Sequence, residues 1–267
     1  MSLDAATRLE VAQALLAAYR SRKPIDPLTQ TWPGLTLEDS YPIQVLQVEH
    51  RRAAGARVRG HKVGLTSAAM QRQMHVDSPD YGTLLEGMFF AEHQPIPTGA
   101  FLQPRVEPEV AFVLGHRLTG PGVTAAQAVS AIDYVLPALE LIDSRIRDWQ
   151  ITLADTIADN ASSGGVVLGS RPTAVGAVDL RLSGCVLHVN GAVAGTGAGG
   201  AVLGSPVTSL VWLANILGGQ GVALEAGQVV LPGSITASVP VHPGDTVTAT
   251  FAGVGTVTAC FATEEDP

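Results

Sequence analysis

Residues 105–113 read Arg-Val-Glu-Pro-Glu-Val-Ala-Phe-Val, so that Val106, Pro108, Val110 and Phe112 alternate with Arg105, Glu107, Glu109 and Ala111. Alternation is the period of a β-strand, whose successive side chains point to opposite faces. One face is apolar throughout. The other presents two carboxylates about 6.5–7 Å apart along the strand. Like charges at that spacing raise each other's pKa unless a cation lies between them. Pro108 has no N–H for a ladder, so the strand is expected at a sheet edge or beside an irregularity. The two glutamates either lie on a solvated strand face or hold a divalent cation.

On both sides of this strand the chain is β-rich. Short β-branched runs such as residues 58–67 (VRGHKVGLTS) are separated by Gly, Pro, Asp and Ser and read as strands. Residues 246–251 and 256–261 alternate strictly around Gly253-Val254-Gly255, which predicts a hairpin. Before residue 56 the period changes. Leu9, Ala12, Leu15, Leu16 and Tyr19 recur at helical spacing and predict a helix over 4–21, ended by Pro24 and Pro27. A second helix is predicted from Thr36 or Ser40 to Ala54, with a kink or restart at Pro42. Short helices are expected over 68–74 and 124–131. A longer one is expected over 206–217, capped by Ser205 and stopped by Gly218-Gly219. With no repeat and no separating linker, the fold class is α+β. A helical region, residues 1–55, is expected to form one unit with a β-rich domain, residues 56–267.

Composition narrows the function. Hydrophobic residues make up 46% and charged residues 15%, which excludes a disordered chain. Sixteen Lys+Arg stand against twenty-four Asp+Glu, and no basic run is long enough to drive counterion release, so no nucleic-acid partner is expected. The N-terminus lacks the pattern of a secretory signal, and the apolar stretches are too short or interrupted to span a bilayer. No membrane partner is expected. Cys185 and Cys260 make no disulfide framework, and a reducing cytoplasm is the simplest compartment. The histidines lack zinc-site spacing, no G-x-S-x-G elbow occurs, and Gly195–Gly200 lacks the strand-to-helix context of a nucleotide loop.

Glu140 interrupts the apolar run 135–142, where an unpaired carboxylate carries a desolvation cost of several kcal/mol. It needs a cation, a proton, or a salt bridge to an arginine such as Arg105 or Arg145. With Glu107 and Glu109 it makes an all-oxygen donor set that suits Mg²⁺ or Mn²⁺. Lys62, between Gly60 and Gly64, is either a surface lysine with its stem on the core or a buried one whose pKa shifts toward neutral. Residues 154–165 (ADTIADNASSGG) offer hydroxyls and N–H groups to an anion, or form an ordinary Asn/Ser turn.

GHKVGLTS (60–67) with Met70 and Gln71, VDSPDYGTLL (76–85), PRVEPEVAFVL (104–114), VLPALELIDSRIRDW (135–149) and DTIADNASSGGVVLG (155–169) stand in order. Together they resemble the 2-keto-4-pentenoate hydratase group of the fumarylacetoacetate hydrolase superfamily over about residues 36–262. The resemblance implies a β-rich mixed-sheet fold of the fumarylacetoacetase C-terminal type, a divalent metal, and a homo-oligomer. It implies Glu107, Glu109 and Glu140 as metal ligands, Lys62, Asp80 and Asp159 in catalysis, and Leu65, Asn160, Ser162 and Ser234 around a small 2-oxo or 2-enol carboxylic acid. Two departures matter: Ser205 replaces a common His, and 233–237 (GSITA) resembles the decarboxylase and heptenedioate branches about as well as the pentenoate branch.

The implied reaction is hydration of 2-hydroxypenta-2,4-dienoate to 4-hydroxy-2-oxopentanoate in aromatic or steroid ring catabolism. Its alternatives are 4-oxalocrotonate decarboxylation, 2-oxohept-4-ene-1,7-dioate hydration, and a non-catalytic partner subunit, against which the intact glutamates and Lys62 argue. The pocket's far end is expected to be lined mainly by apolar and small side chains, rejecting a second carboxylate.

Overall fold

The computed structural model describes residues 2–73 and 76–263. Helix α1 (Ala5–Ser21) starts where the Asp4 side chain accepts the Thr7 N–H and ends at Arg22 in the left-handed region. One turn, α2 (Leu28–Thr31), leads to α3 (Leu37–Ala53), whose start is fixed by Asp39 Oδ2 accepting from both the N–H and the hydroxyl of Thr36. The restart expected at Pro42 is absent. Helix α3 runs through it, because a proline there removes a single donor while neighbouring side chains anchor the helix. Ser40 Oγ donates to Ala154 O at 2.9 Å, Gln44 Nε2 to Ile157 O at 3.0 Å and Gln47 Nε2 to Ala158 O at 2.6 Å. These acceptors belong to α6 (Leu153–Ala158), and at Ile157 and Ala158 α3 satisfies carbonyls that a helix end leaves orphaned.

Two further helices follow the sequence closely. Helix α4 spans Ala68–Gln73, Met74 lying outside the described residues, and α5 (Ala125–Ala131) starts at Thr124. Helix α7 (Pro206–Gly219) differs from expectation at both ends: Ser205 makes no side-chain cap, and the left-handed glycine is Gly221 rather than Gly218 or Gly219. By length and composition Gly199–Gly219 reaches the size of a membrane span. Its helical part has only 14 residues, about 21 Å at 1.5 Å per residue, and packs Leu210, Leu213 and Leu217 into the core.

The larger sheet has the order β2-β1-β10-β5-β6-β7-β3. Its strands are β1 (Val58–Gly64), β2 (Asp80–Leu85), β3 (Phe89–Phe90), β5 (Arg105–Leu114), β6 (Ile132–Ile142), β7 (Ser163–Leu168) and β10 (Val229–Leu231), with β11 (Val239–Pro240) also on β5. The smaller sheet has the order β4-β13-β12-β8-β9, from β4 (Pro95–Ile96), β8 (Gly184–Val189), β9 (Ala192–Ala198), β12 (Thr246–Phe251) and β13 (Gly255–Phe261). The predicted hairpin is β12–β13, with Phe251 opposite Gly255.

Pro108 does not mark an edge. Strand β5 is central, but β10 pairs only with Phe112 and Val113 and β11 only with Arg105 and Val106. Residues 232–238 leave the sheet between them, and Pro108 sits at that gap, its carbonyl accepting from Ile235 N at 3.0 Å. The alternation of β5 then sorts two environments. Val106, Val110 and Phe112 join the core between the sheets with Leu139, Val230, Leu187, Val247 and Val257. The opposite face carries the acids, above a buried layer of Leu84, Ala111, Ala138, Val166 and Leu231. The sheet curls around this face until β2 packs against β7, and the Asn160 side chain bonds both the N–H and the carbonyl of Thr83, at 2.8 and 2.9 Å.

Because α3 is anchored by its buried amides, Pro42→Ala restores a helical donor without moving the helix. Unfolding free energy is expected to rise by roughly 1–3 kcal/mol in urea titrations. A lower midpoint would mean that Pro42 is needed for the path of α3.

Candidate active site

The β5–β6 register places Glu107 directly opposite Glu140, with Glu109 one pleat further along the same face. One carboxylate oxygen from each lies within 4.8 Å of the others. Glu109 and Glu140 are fully buried and Glu107 is partly exposed. Glu109 Oε2 accepts the Gly233 N–H at 2.7 Å, but Glu109 Oε1 and both Glu140 oxygens receive no hydrogen bond. Among the described residues their one ion-pair partner is Lys62, whose Nζ lies 3.2 Å from Glu140 Oε1. Neither Arg105 nor Arg145 is the partner: Arg105 donates to Ser238, and Arg145 pairs with Asp159.

One lysine does not neutralise this cluster. Burial, then the neighbouring Glu140, raises Glu107 to about 7, against a partial opposing effect of Lys62. Burial likewise raises Glu109 and Glu140. Buried carboxylate oxygens with no donor are costly, and a divalent cation among them removes the cost. The donor set therefore fits Mg²⁺ or Mn²⁺.

Lys62 is buried, which excludes the surface reading. It is not driven toward neutrality either: burial lowers its pKa, but Glu140, Asp80, Glu107 and Glu109 raise it and prevail. Asp80 pairs across β2 with Gly64 of β1 and is buried, with Oδ1 unpartnered. Burial raises its pKa while Lys62 lowers it. A Cβ at Gly64 would lie 2.2 Å from Asp80 Oδ1 and 3.3 Å from Lys62 Nζ, so only glycine admits this approach.

Leu65 follows with a φ of 54°, unusual for a branched residue, its carbonyl held by Gln71 Nε2 at 2.9 Å. A residue held there stores about 1–3 kcal/mol, a mark of functional backbone. Gly233 has a φ of 129°, and a Cβ on it would fall 2.1 Å from Thr66 Oγ1. The 65–66 turn and the 232–238 loop thus interlock over Glu109. Ser234 lies in that loop, its hydroxyl donating to Thr236 O at 2.7 Å.

Asp159, Asn160 and Ser162 form a separate buried cluster that meets the acid face at Gly82, whose Cβ would come within 2.5 Å of Asn160 O. Their side chains are engaged with protein. Asp159 accepts from Arg145 on both oxygens, Nε at 2.6 Å and N at 2.9 Å. Asn160 bonds Thr83, and Ser162 Oγ lies 3.2 Å from Thr156 Oγ1. Asp159, for which a proton-transfer role is expected, is engaged in a buried ion pair, and the side chains of Asn160 and Ser162 hold the turn.

Tyr41 escaped the sequence reading, and Arg105 was named there only as a candidate partner of Glu140. Tyr41 of α3 stacks on Tyr81, centroids 4.4 Å apart, and burial and the charge of Asp80 raise its pKa. Arg105 shares the Glu107 face at the open end and lines a cavity of about 750 Å³ with Phe101, Trp149 and His242. Beside the expectation of a far end lined mainly by apolar and small side chains, Arg105 sets one cation on the Glu107 face of the strand.

Residues 54–262 match the family model for the fumarylacetoacetate (FAA) hydrolase C-terminal region. The chain belongs to this family. Among its relatives is a 2-keto-4-pentenoate hydratase of Paraburkholderia xenovorans (strain LB400), 44% identical over 97% of this chain and 96% of that protein. A 2-oxo-hept-4-ene-1,7-dioate hydratase of Escherichia coli is 41% identical over 97% of this chain and 99% of its own. The structure of 4-oxalocrotonate decarboxylase from Pseudomonas putida G7, complexed with magnesium and adipate, superposes with a TM-score of 0.94 at 36% identity, over 97% of this chain and 99% of the other. The β-rich mixed-sheet fold with an N-terminal helical region is thus that of the FAA hydrolase family.

Proton linkage gives a test of the cluster. Without metal, Glu107 keeps its proton in the folded chain up to about 7, whereas at its ordinary value of 4.5 the unfolded chain loses it earlier. The stability this contributes is full below the unfolded value and is lost as pH rises through the folded one. The melting temperature of EDTA-treated protein is expected to fall between about pH 5 and pH 8, and Mg²⁺ to restore it more at the higher pH. A melting temperature insensitive to Mg²⁺ at both pH values would contradict a cation site. In the second cluster, Asp159→Ala leaves Arg145 buried and uncompensated, and is expected to cost roughly 3–5 kcal/mol in chemical denaturation. A loss of activity at unchanged stability would restore Asp159 to catalysis.

Proposed function

We propose that the chain is a divalent-metal-dependent hydro-lyase that adds water to 2-hydroxypenta-2,4-dienoate and gives 4-hydroxy-2-oxopentanoate, a step in aromatic or steroid ring catabolism. The observation that carries this reading is the convergence of Glu107, Glu109 and Glu140 within 4.8 Å beside a charged, buried Lys62. The names of the relatives at 40–44% identity support the reaction class.

The three glutamates would hold Mg²⁺ or Mn²⁺, which supplies Lewis acidity toward the substrate's C1 carboxylate and C2 oxygen. The substrate loses the C2 hydroxyl proton and gains one at C5, becoming a conjugated ketone. Water then adds at C4, and a proton at C3 completes the product. Lys62, kept charged by its acids, stabilises negative charge on the substrate oxygen. Asp80, whose burial raises its proton affinity, takes the proton from the attacking water. Leu65 and Ser234 line the mouth, and the cluster of Asp159, Asn160 and Ser162 supports the wall at Gly82.

Arg105 favours a second reading, hydration or decarboxylation of a dicarboxylate whose far carboxylate it would meet. Helices 1–55 and the β-rich remainder, 56–267, act in this reading as one unit, supported by the α3–α6 anchors. Leu37, Val45 and Leu46 expose apolar surface on α3, which supports assembly into a homo-oligomer. The two free cysteines fit the cytoplasm.

Assay of the full chain with Mg²⁺ or Mn²⁺ is expected to convert the five-carbon dienol to a product heavier by one water, and EDTA to abolish it. Glu109→Gln is expected to lower kcat/KM by more than about 100-fold with the fold retained. Lys62→Met is expected to lower kcat by roughly 10²–10⁴. Faster release of carbon dioxide from an unsaturated dicarboxylate than hydration of the dienol would establish the second reading instead.

A further inference from the structure

A groove of about 580 Å³ lies between α1, α3 and the β2–β3 segment, and none of the glutamates lines it. Its volume is that of a small-molecule site. Three arginines, Arg20, Arg22 and Arg51, and the imidazole of His50 reach it from the ends of the two helices. On a chain with a net charge of −8 this is a local reversal of sign. The acid at the groove, Asp143, is buried and accepts the N–H groups of Leu102 and Gln103 at 3.1 and 2.7 Å. Arg145, at the base, is matched by Asp159.

Arg51 has no such match. It is half-buried, no carboxylate lies within ion-pair distance of it among the described residues, and its guanidinium stacks on the Tyr19 ring at 4.0 Å from the centroid. The same ring carries the Arg145 guanidinium at 4.2 Å. A fixed guanidinium with open donors is the fork that carboxylates bind in bidentate fashion. Beside it the groove turns apolar: Leu16, Leu85 and Met88 lie next to Phe90 and Phe101, whose rings are 5.8 Å apart. That wall gives nothing to a hydrated inorganic ion.

We propose that this groove binds a small organic monocarboxylate with a flat apolar body, its carboxylate on Arg51 and its body against Met88 and Phe90. One negative charge answers Arg51, which is half-buried and, among the described residues, has no carboxylate within ion-pair distance. The exposed Arg20 and Arg22 add attraction at the rim, where salt screens it.

Benzoate is the probe, titrated calorimetrically into the full chain after EDTA treatment, so that no metal offers the carboxylate a second site. Saturable binding of one benzoate per chain is expected, unchanged in Glu109→Gln and weakened at least about tenfold in Arg51→Gln. Arg20→Gln, at an exposed position, is expected to weaken it by about two- to threefold, with the difference vanishing in high salt. Sulfate is expected to bind at least about tenfold more weakly than benzoate, since it makes no use of the apolar wall. Should Arg51→Gln fail to fold, benzoate is still expected to protect Arg51 of the wild-type chain from phenylglyoxal, read by peptide mass. Absence of saturable binding, equal affinity in folded Arg51→Gln, sulfate binding as tight as benzoate, or modification of Arg51 unaffected by benzoate would each overturn the site.

Discussion

Carboxylates gathered where water is scarce repel one another, and the chain meets this condition on one face of one sheet. Glu107 and Glu140 stand opposite across a ladder, Glu109 is one pleat away, and Asp80 closes the group from β2. A single lysine offsets one charge among four. Everything nearby serves to keep these groups together: the curl of the sheet, the glycine at 64 that lets Asp80 approach Lys62, and the loop at Gly233 that lends an N–H to Glu109. Repulsion that would open an ordinary surface is here confined by the apolar core behind the strand.

The core resists this repulsion because it is built from the other half of the same alternation. Val106, Val110 and Phe112 are buried between two sheets, so tilting β5 to relieve the glutamates would expose them. Stability and site therefore share one strand. The missing ladder partner at Pro108 is what lets residues 232–238 fold over Glu109 instead of continuing the sheet.

Much of this was legible in the sequence, and what was hidden has physical reasons. Alternation at 105–113 revealed the strand and its two faces, and an acid inside the apolar run 135–142 signalled a buried charge. The register that sets Glu140 opposite Glu107 depends on long-range pairing, which a local pattern does not encode. Lys62 was ambiguous because a flexible side chain reads alike on a surface and inside a curled sheet. The continuity of α3 through Pro42 depends on Gln44 and Gln47 reaching α6 carbonyls more than a hundred residues away. Asp159 looked catalytic by resemblance, and its two bonds to Arg145, which depend on the folded backbone, were not legible in the sequence.

The exposure of the acid face falls along β5, from Arg105 and Glu107 at one end to Glu109 and then Ala111, which are sealed. Beneath them Leu84, Ala138, Val166 and Leu231 are buried in one apolar cluster. In the proposed reaction a substrate that approaches from the half-exposed end of the strand passes Arg105 and Glu107 before it reaches Glu109, and a product leaving by that end passes them again. Departure then bears on turnover as much as bond making does.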